Sequence, residues 1–256
     1  MDEHRQSILD QFTRQAVPFA EIHARDDSAI HQLLIRTAGI TEADNVLDVA
    51  CGPGLVACEV ARVAKHVTGI DLTPAMIAQS RQRQQSLGLA NLAWVTGDAQ
   101  PLPFPDASFS RVISRYAFHH FTDPGGVFAE MVRVCRVGER VTVADVFTTS
   151  ADQASAFDRL ENLRDPSHTH ALRLDEFDSL FATLADVRKE FYTYSVDVDE
   201  LLERSFPAAG GAAAFRQAVE ADIGVDKLGI SATLDGGLRF AFPVIIVSGA
   251  IAPWRT

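Results

Sequence analysis

Short apolar runs alternate with longer stretches of helical period along this chain, and this alternation restricts its fold more than any other feature. The runs lie at 45–50, 66–71, 92–96, 109–116 and 140–146. Strands that alternate with helices are typical of βα units, which assemble into a mainly parallel sheet. The sequence therefore predicts an α/β fold.

Helix signals fill the intervals between these runs. A helix is expected from about residue 55 to 64, and a second begins at Pro74 with Thr73 as its N-cap and ends near Gly88. Before the fifth strand, four residues recur at i, i+3, i+4 and i+7, which predicts one buried helical face. They are Phe128, Met131, Val132 and Cys135.

The pattern is different at the two ends of the chain. Residues 3–38 predict one or two helices ahead of the first strand. The pattern weakens over 148–173 and then predicts a helix at 175–184, a strand at 187–196, a helical stretch at 198–223 and a strand at 238–248. We expect the N-terminal helices to form a lid.

Charge and composition exclude several classes of protein. The net charge of the 256 residues is −11, and the three lysines are scattered. A nucleic-acid partner is not expected, because neutralising phosphates needs clustered basic residues. The apolar run 240–252 contains Pro243 and is shorter than the ~18 residues of a membrane span. The N-terminus lacks the apolar stretch of a secretory signal, so we expect a cytoplasmic location and reduced cysteines.

A glycine-rich turn follows the first strand. Gly52 and Gly54 lie in Asp48-Val49-Ala50-Cys51-Gly52-Pro53-Gly54, where a strand turns into a helix. Glycine there lets a ligand approach the backbone closely, although tight packing alone would also explain it. Asp71 ends the second strand, where a carboxylate can accept hydrogen bonds from both hydroxyls of a ribose.

A second carboxylate ends the third strand. Asp98 lies in Gly97-Asp98-Ala99, where it can bind the exocyclic amine of an adenine. Each acid alone could be an N-cap or a surface charge. Because the carboxyl ends of parallel strands share one edge, the glycine turn, Asp71 and Asp98 together predict one nucleoside crevice.

The kind of nucleotide follows from what the turn lacks. The third glycine of a dinucleotide fingerprint is replaced by Ala57, and no ATP-binding G-x-x-x-x-G-K-[ST] motif is present. Asp48 would repel a phosphate but tolerate a cationic ligand. Adenosine attached to a sulfonium fits these residues best.

Four segments carry a resemblance to a known family. They are V-L-D-V-A-C-G-P-G (46–54), G-I-D-L-T-P-A-M (69–76), G-D-A-Q-P-L-P-F-P-D-A-S-F (97–109) and A-F-H-H-F-T-D-P (117–124). They resemble the class I S-adenosylmethionine-dependent methyltransferases, and among these the ubiquinone/menaquinone C-methyltransferase-like group of small-molecule enzymes. The resemblance covers about residues 10–185 and implies a Rossmann-like, seven-stranded, mainly parallel sheet with the last strand antiparallel and helices on both faces. Val137-Gly138-Glu139 departs from the family's Pro-Gly-Gly, and we expect an altered hairpin there.

The resemblance also implies a role for individual residues. It assigns Gly52 and Gly54 to the methionine end of S-adenosylmethionine, Asp71 to the ribose, and the backbone carbonyl of Arg115 to the methionine ammonium. Leu72 and Met76 would contact the adenine faces, and Asp98 and Ala99 its edge. The predicted cofactor site comprises Asp48, Cys51, Gly52, Gly54, Asp71, Leu72, Met76, Asp98, Ala99 and Arg115.

The whole chain, 1–256, is expected to form one methyltransferase domain. We assign 1–40 to the lid, 41–148 to the cofactor-binding core, 149–173 to a variable insertion, and 174–256 to the remaining sheet and an acceptor cap. Monomer and homodimer both stay open.

His119 and His120 follow the fourth strand and are the candidate catalytic bases. Neighbouring side chains in an extended chain face opposite ways, so we expect only one of them to reach the crevice. A base matters only if the acceptor loses a proton. A structural role for both histidines is an equal alternative, because histidine is common at such edges without taking part in catalysis.

Arg164 and His168 in the insertion are candidate acceptor-binding residues, although Arg164-Asp165 could instead hold the loop together. His168 and His170 have no third ligand at metal-site spacing, so no metal is expected.

The predicted function is methyl transfer from S-adenosylmethionine to a small-molecule acceptor, leaving S-adenosylhomocysteine. Two alternatives stay open. One is a nicotinamide-dependent oxidoreductase, against which the missing third glycine argues. The other is a regulatory protein that binds S-adenosylmethionine without catalysis.

Overall fold

The computed structural model describes residues 3–21 and 28–253, and one β-sheet organises them. The described residues leave out 1–2, 22–27 and 254–256. The first two ranges belong to the predicted lid, and the third belongs to the predicted C-terminal part. The strands are β1 (Asn45–Val49), β2 (His66–Asp71), β3 (Leu92–Thr96), β4 (Phe109–Arg115), β5 (Cys135–Val146), β6 (Ala185–Asp197), β7 (Thr233–Leu234) and β8 (Leu238–Ala250).

The strands lie in the order β3-β2-β1-β4-β5-β8-β6. Strands β1 to β5 pair in parallel, whereas β8 runs antiparallel to both β5 and β6. The predicted seven-stranded sheet with its last strand antiparallel is confirmed; the two-residue β7 adds a short pairing to β8. Strand order reverses between β1 and β4, and a ligand crevice is expected above such a reversal.

Helices cover both faces of the sheet, as predicted. They are α1 (Glu3–Glu21), α2 (Ser28–Ala38), α3 (Leu55–Ala61), α4 (Pro74–Ser86), α5 (Pro124–Val134), α6 (Ala151–Arg164), α7 (Leu174–Phe181), α8 (Val198–Glu203) and α9 (Gly211–Ala221). One apolar core joins α5 and α7 to the sheet, and another joins α2, α3 and α4 to its opposite face. None of the helices in residues 3–21 and 28–253 is long and apolar enough to cross a membrane.

A third apolar cluster lies at the C-terminal side of the sheet. It joins α6, α8 and α9 to the first residues of β8, with Phe157, Phe215 and Phe240 among its members. The expected helical stretch at 198–223 is in fact two helices. The chain turns between them through Phe206, whose φ of 52° is left-handed, and through Pro207.

The predicted helical position of Cys135 is wrong. Helix α5 ends at Val134, and Cys135 is extended (φ −85°, ψ 142°) and begins β5, although its side chain is buried. Strand β5 therefore starts earlier than residue 140. The pairing with β4 shifts between Phe109 and Arg111, and Gly138 (φ 82°) donates to the Ile251 carbonyl at 2.8 Å. In place of a hairpin, Val137-Gly138-Glu139 is an irregular part of the strand.

The weak pattern of residues 149–173 contains a helix. Ser150 caps α6 by accepting the Gln153 amide, and the Gln153 side chain accepts the Thr149 amide at 2.6 Å. This reciprocal arrangement is close to a capping box, a signal that the sequence carries as Ser150-x-x-Gln153. The helix buries Ala154, Phe157 and Leu160, which lie three residues apart.

Candidate functional site

The glycine turn between β1 and α3 is built from left-handed residues. Ala50, Gly52 and Gly54 have φ angles of 56°, 53° and 79°. The Cys51 amide donates to the Ile70 carbonyl at 3.0 Å, which ties the turn to the end of β2. The turn thus holds the start of α3 beside the second strand, with backbone groups facing the carboxyl edge of the sheet.

Asp71 joins this turn to the next helix. Its Oδ2 accepts the Gly52 amide at 2.9 Å and its Oδ1 accepts the Thr73 amide at 2.8 Å, just before α4. Burial raises the pKa of Asp71, and these two hydrogen bonds oppose the increase. Each carboxylate oxygen keeps a second lone pair that can accept a hydrogen bond.

Asp98 follows β3 at the same edge. Its Oδ1 accepts the Gln100 amide at 3.2 Å, and its Oδ2 forms an ion pair with Arg5 of α1. The side chains of Arg5 and Asp98 are 40% and 38% exposed. The N-terminal helix therefore reaches across the edge of the sheet to a carboxylate that the sequence predicts as a ligand.

A cavity of about 450 Å³ lies above the carboxyl ends of β1, β2, β3 and β4, under α1. This volume falls in the range of small-molecule sites, roughly 300–1,000 Å³. Among the fourteen predicted site residues, nine line the cavity. They are Cys51, Gly52, Asp71, Leu72, Met76, Asp98, Ala99, Arg115 and His120.

The other five predicted site residues do not line the cavity; they are Asp48, Gly54, His119, Arg164 and His168. Gly54 lies between two lining residues, Pro53 and Leu55, at the N-cap of α3. Asp48 is 2% exposed, and its Oδ2 has no hydrogen-bond partner among the described residues. Burial and the neighbouring Asp71 raise the pKa of Asp48 to about 8.

The two candidate catalytic histidines face different surroundings. Phe118–His120 is a 3₁₀ turn rather than extended chain, and the two imidazole rings lie 4.2 Å apart between centroids. His119 Nδ1 is 2.6 Å from Oδ1 of the buried Asp145, away from the cavity. Burial opposes the charged form of His119, but the Asp145 carboxylate outweighs it and raises the pKa.

His120 is the histidine that lines the cavity, and it is 8% exposed. Its Nδ1 lies 3.0 Å from the Ser167 carbonyl, and its own carbonyl is 2.8 Å from His4 Nε2. Burial, together with the charge of His119, lowers the pKa of His120 to about 3. The expectation that one histidine reaches the cavity therefore agrees with the geometry, although the reason is the 3₁₀ turn.

Arg164 and His168 contact other protein groups instead of the cavity. Arg164 forms an ion pair with Glu161 of the same helix. His168 Nε2 is 2.7 Å from Asp158, and His170 lies between Asp158 and Glu176. In residues 3–21 and 28–253, no group of three His, Cys, Asp or Glu side chains is placed to hold a metal ion.

The sequence did not single out most of the cavity roof. Helix α1 contributes His4, Arg5, Ile8, Phe12 and Phe19 to the lining. These residues follow a helical spacing, but nothing local in the sequence indicates which element they face. The cavity wall also includes Tyr116 and Phe121, beside the predicted His119-His120 pair.

The residues from β1 to β5 match a known domain family. Residues 47–143 match the family model described as "Methyltransferase domain". These residues are therefore similar to a methyltransferase domain. The matched residues include the glycine turn, Asp71, Asp98 and His120.

Curated relatives to which this chain is similar include an uncharacterized methyltransferase, YcgJ, of Bacillus subtilis (strain 168). It is 32% identical over 151 residues, which are 59% of this chain and 60% of the relative. The demethylmenaquinone methyltransferase of Tropheryma whipplei (strain Twist) is 29% identical over 149 residues, 56% of this chain and 60% of that protein. Matches to other curated relatives span 40% of their length.

Solved structures share the fold of this chain. The crystal structure of YcgJ superposes with a TM-score of 0.80 and 26% identity, covering 87% of this chain and 98% of that one. A geranyl diphosphate C-methyltransferase from Streptomyces coelicolor A3(2), solved with S-adenosyl-L-homocysteine, has a TM-score of 0.60 and covers 89% of this chain and 78% of that one. At 16% identity, the second likeness shows the fold alone.

Proposed function

We propose that this protein transfers a methyl group from S-adenosylmethionine to a small acceptor that is aromatic or otherwise apolar. The proposal rests on one observation: Gly52, Asp71 and Asp98 all line the same cavity. These residues come from the ends of β1, β2 and β3, where a nucleoside is expected. The match of residues 47–143 to a methyltransferase domain supports the same function.

The residues present fit S-adenosylmethionine. A Cβ built on Gly52 would meet no protein atom within 4 Å, so open space adjoins the backbone of the turn. Asp71 would hold the ribose, Asp98 and Ala99 the adenine edge, and Leu72 and Met76 its faces. Burial raises the pKa of Asp48, and a positively charged ligand nearby would oppose this increase, whereas a phosphate would add to it.

The other side of the cavity suits the acceptor. Its wall is apolar where α1 supplies Ile8, Phe12 and Phe19, and where Phe121 adds an aromatic ring. When bound, S-adenosylmethionine supplies a methyl group that is already activated by the sulfonium. The main tasks of the protein are then to hold the acceptor in line and to exclude water. We further propose that His120 is the general base when the acceptor must lose a proton.

Calorimetric titration tests the cofactor assignment. S-adenosylmethionine and S-adenosylhomocysteine should both bind saturably, and NADH should not. Asp71→Ala should weaken binding by ~1–3 kcal/mol, because the ribose hydroxyls lose an acceptor in a buried site. Asp106→Ala, which changes an exposed carboxylate before β4, is the matched control and should leave the affinity unchanged. Equal affinity of wild type and Asp71→Ala would remove Asp71 from the site.

Product formation separates catalysis from binding alone. Incubation with S-adenosylmethionine and a metabolite library should yield a compound heavier by one methylene group, measured by mass spectrometry. Binding without any methylated product would favour the regulatory alternative. Binding of NADH with hydride transfer would favour the oxidoreductase.

A further inference from the structure

The loop that follows α6 is bonded directly to the 3₁₀ turn that carries His120. The amide and hydroxyl of Thr169 both donate to the His119 carbonyl at 2.8 Å, and the His170 amide donates to the same oxygen at 3.3 Å. This loop lies outside the matched methyltransferase domain of residues 47–143. A loop outside the family match therefore supports His120, a cavity residue inside it.

Ser167 offers His120 two oxygen atoms and no hydrogen. His120 Nδ1 is 3.0 Å from the Ser167 carbonyl and 3.3 Å from the Ser167 hydroxyl oxygen. The Ser167 hydroxyl donates its only hydrogen to Asp165 Oδ1, which also accepts the Ser167 amide at 2.9 Å. Both Ser167 oxygens facing the ring can then only accept.

This arrangement decides which ring nitrogen carries the proton. A neutral imidazole has one N–H donor and one bare acceptor nitrogen. Since Nδ1 faces two acceptors, Nδ1 must carry the hydrogen, and Nε2 keeps its lone pair. Nε2 has no hydrogen-bond partner among the described residues, and His120 lines the cavity. The bare nitrogen is thus available to a ligand.

We infer that Asp165 is a positioning residue that acts through Ser167 to hold His120 in the Nδ1–H tautomer, with Nε2 as the base. The catalytic part of this inference rests on the proposed function. As the acceptor forms its bond to the methyl carbon, the carbon–sulfur bond breaks with its electron pair going to sulfur. The proton that the acceptor loses moves to Nε2, and the imidazolium later releases it to solvent.

Packing around the ring supports this role. Asp165, Ser167 and His120 are all buried, so water does not compete for these hydrogen bonds. Phe12 of α1 packs edge-on against the His120 ring at 5.0 Å between centroids. The lowered pKa of His120 keeps the imidazole neutral at ordinary pH. A neutral imidazole has two tautomers, and the surrounding hydrogen bonds decide which one forms.

The tautomer can be measured without any substrate. Two-bond ¹H–¹⁵N NMR spectra of protein labelled at histidine nitrogens distinguish a protonated from a bare ring nitrogen, and His120→Gln identifies the His120 signals. We expect Nδ1–H in the wild type. In Asp165→Ala the Ser167 hydroxyl is released and can donate to Nδ1, so the Nε2–H form should appear.

A double variant separates this mechanism from general loosening of the loop. In Asp165→Ala/Ser167→Ala no hydroxyl hydrogen is left, and the Ser167 carbonyl should restore Nδ1–H. Ser167→Ala alone should keep Nδ1–H, as should Asp165→Asn, whose Oδ1 still accepts. An Nε2–H tautomer in the wild type, or no change in Asp165→Ala, overturns the inference. If Asp165→Ala does not fold, the wild-type spectrum and Asp165→Asn decide.

Kinetics add a second readout once an acceptor is known. Asp165→Ala should lower kcat by roughly tenfold. This is less than the ~10²–10⁴-fold that a general base matched to the working pH contributes, because the lowered pKa makes His120 a weak base. The KM for S-adenosylmethionine should change little. Asp165→Asn should restore the rate. Should S-adenosylmethionine fail to bind, the proposed function fails while the NMR result still decides the tautomer.

Discussion

Gly54 shows at the level of one residue why the strand-to-helix turn needs glycine. Its φ is 79°, which other residues rarely adopt, and a Cβ there would lie 2.8 Å from the Trp94 ring and 3.2 Å from Ser80 Cβ. Gly54 thus lets α3 and α4 approach β3 closely. Although it does not line the cavity, it positions Gly52, which does.

Replacing Gly54 with alanine should therefore lower the unfolding free energy by more than backbone strain alone would. Gly54→Ala combines ~1–2 kcal/mol of left-handed strain with ~1–3 kcal/mol of overpacking. Gly88→Ala is the matched control, because Gly88 has a φ of 64° but its Cβ would meet nothing within 4 Å. Urea unfolding should show a larger loss of unfolding free energy for Gly54→Ala. Equal losses would mean that the Trp94 ring moves aside.

Individual site residues could be predicted where they lie at strand ends. Asp71 ends β2, and Gly52 and Asp98 follow closely after β1 and β3. Parallel strands bring their carboxyl ends to one edge whatever the loops do. Arg164 and His168 could not be placed this way. Their contacts with Glu161 and Asp158 depend on α6, a helix that the sequence pattern did not reveal.

At the scale of an element, the middle of helix α1 and its first turn make different kinds of contact. Its buried Gln11 and Gln15 bind the Ser205 carbonyl, which anchors the middle of the helix. Its first turn instead contacts two cavity residues, since His4 bonds to the His120 carbonyl and Arg5 pairs with Asp98. We propose that this end of α1 is the moving part of the predicted lid.

Arg5→Gln should strengthen cofactor binding. The Arg5 guanidinium forms an ion pair with Asp98, the carboxylate that we propose binds the adenine amine. An exposed ion pair of this kind contributes ~0.2–1 kcal/mol. Removing this competitor should lower the Kd for S-adenosylhomocysteine by at most about fivefold. Titration calorimetry of wild type and variant measures the effect, and Arg14→Gln, an exposed arginine on the same helix, is the control. Weaker binding would show that Arg5 holds the ligand instead.

The start of a helix was predictable where a capping signal precedes a clear helical period. Thr73 and Pro74 mark the start of α4 as expected. Helix α6 was missed although Ser150 and Gln153 carry a capping signal, because its apolar stripe is narrow. Cys135 continues the helical period of α5, yet pairing with Phe109 in β4 makes it the first residue of β5. Strand pairing therefore overrode the local pattern.

At the scale of the whole molecule, the cavity has a floor and a roof of different origin. The floor is the edge of the sheet, whose strand order follows from βα units and is readable in the sequence. The roof comes from α1, and the loop after α6 supports His120 in the cavity wall without lining the cavity itself. Both segments are placed by contacts between residues far apart in sequence. Arg5 with Asp98, and Ser167 with His120, are such contacts. No local pattern encodes them.

His170 connects the two helices on either side of this loop. Its Nδ1 is 2.8 Å from Asp158 of α6, and its Nε2 is 3.0 Å from Glu176 of α7. The hydrogen bond to Asp158 raises the pKa of His170 from an ordinary value of 6.5 to about 9, against the opposing effect of burial. The side chain is 36% exposed, so solvent screens both ion pairs.

His170 should therefore make stability depend on pH in a defined window. Because its folded pKa is above the unfolded value, its stabilisation is fully present below pH 6.5 and is lost as pH rises through about 9. The difference in unfolding free energy between wild type and His170→Gln should be at most about 1 kcal/mol at pH 6 and should shrink by pH 9.5. Urea unfolding across this range measures it. His66→Gln, which changes a half-buried histidine without side-chain hydrogen bonds among the described residues, should show no such trend. A difference that stays constant from pH 6 to 9.5 would mean that His170 contributes through packing rather than through its charge.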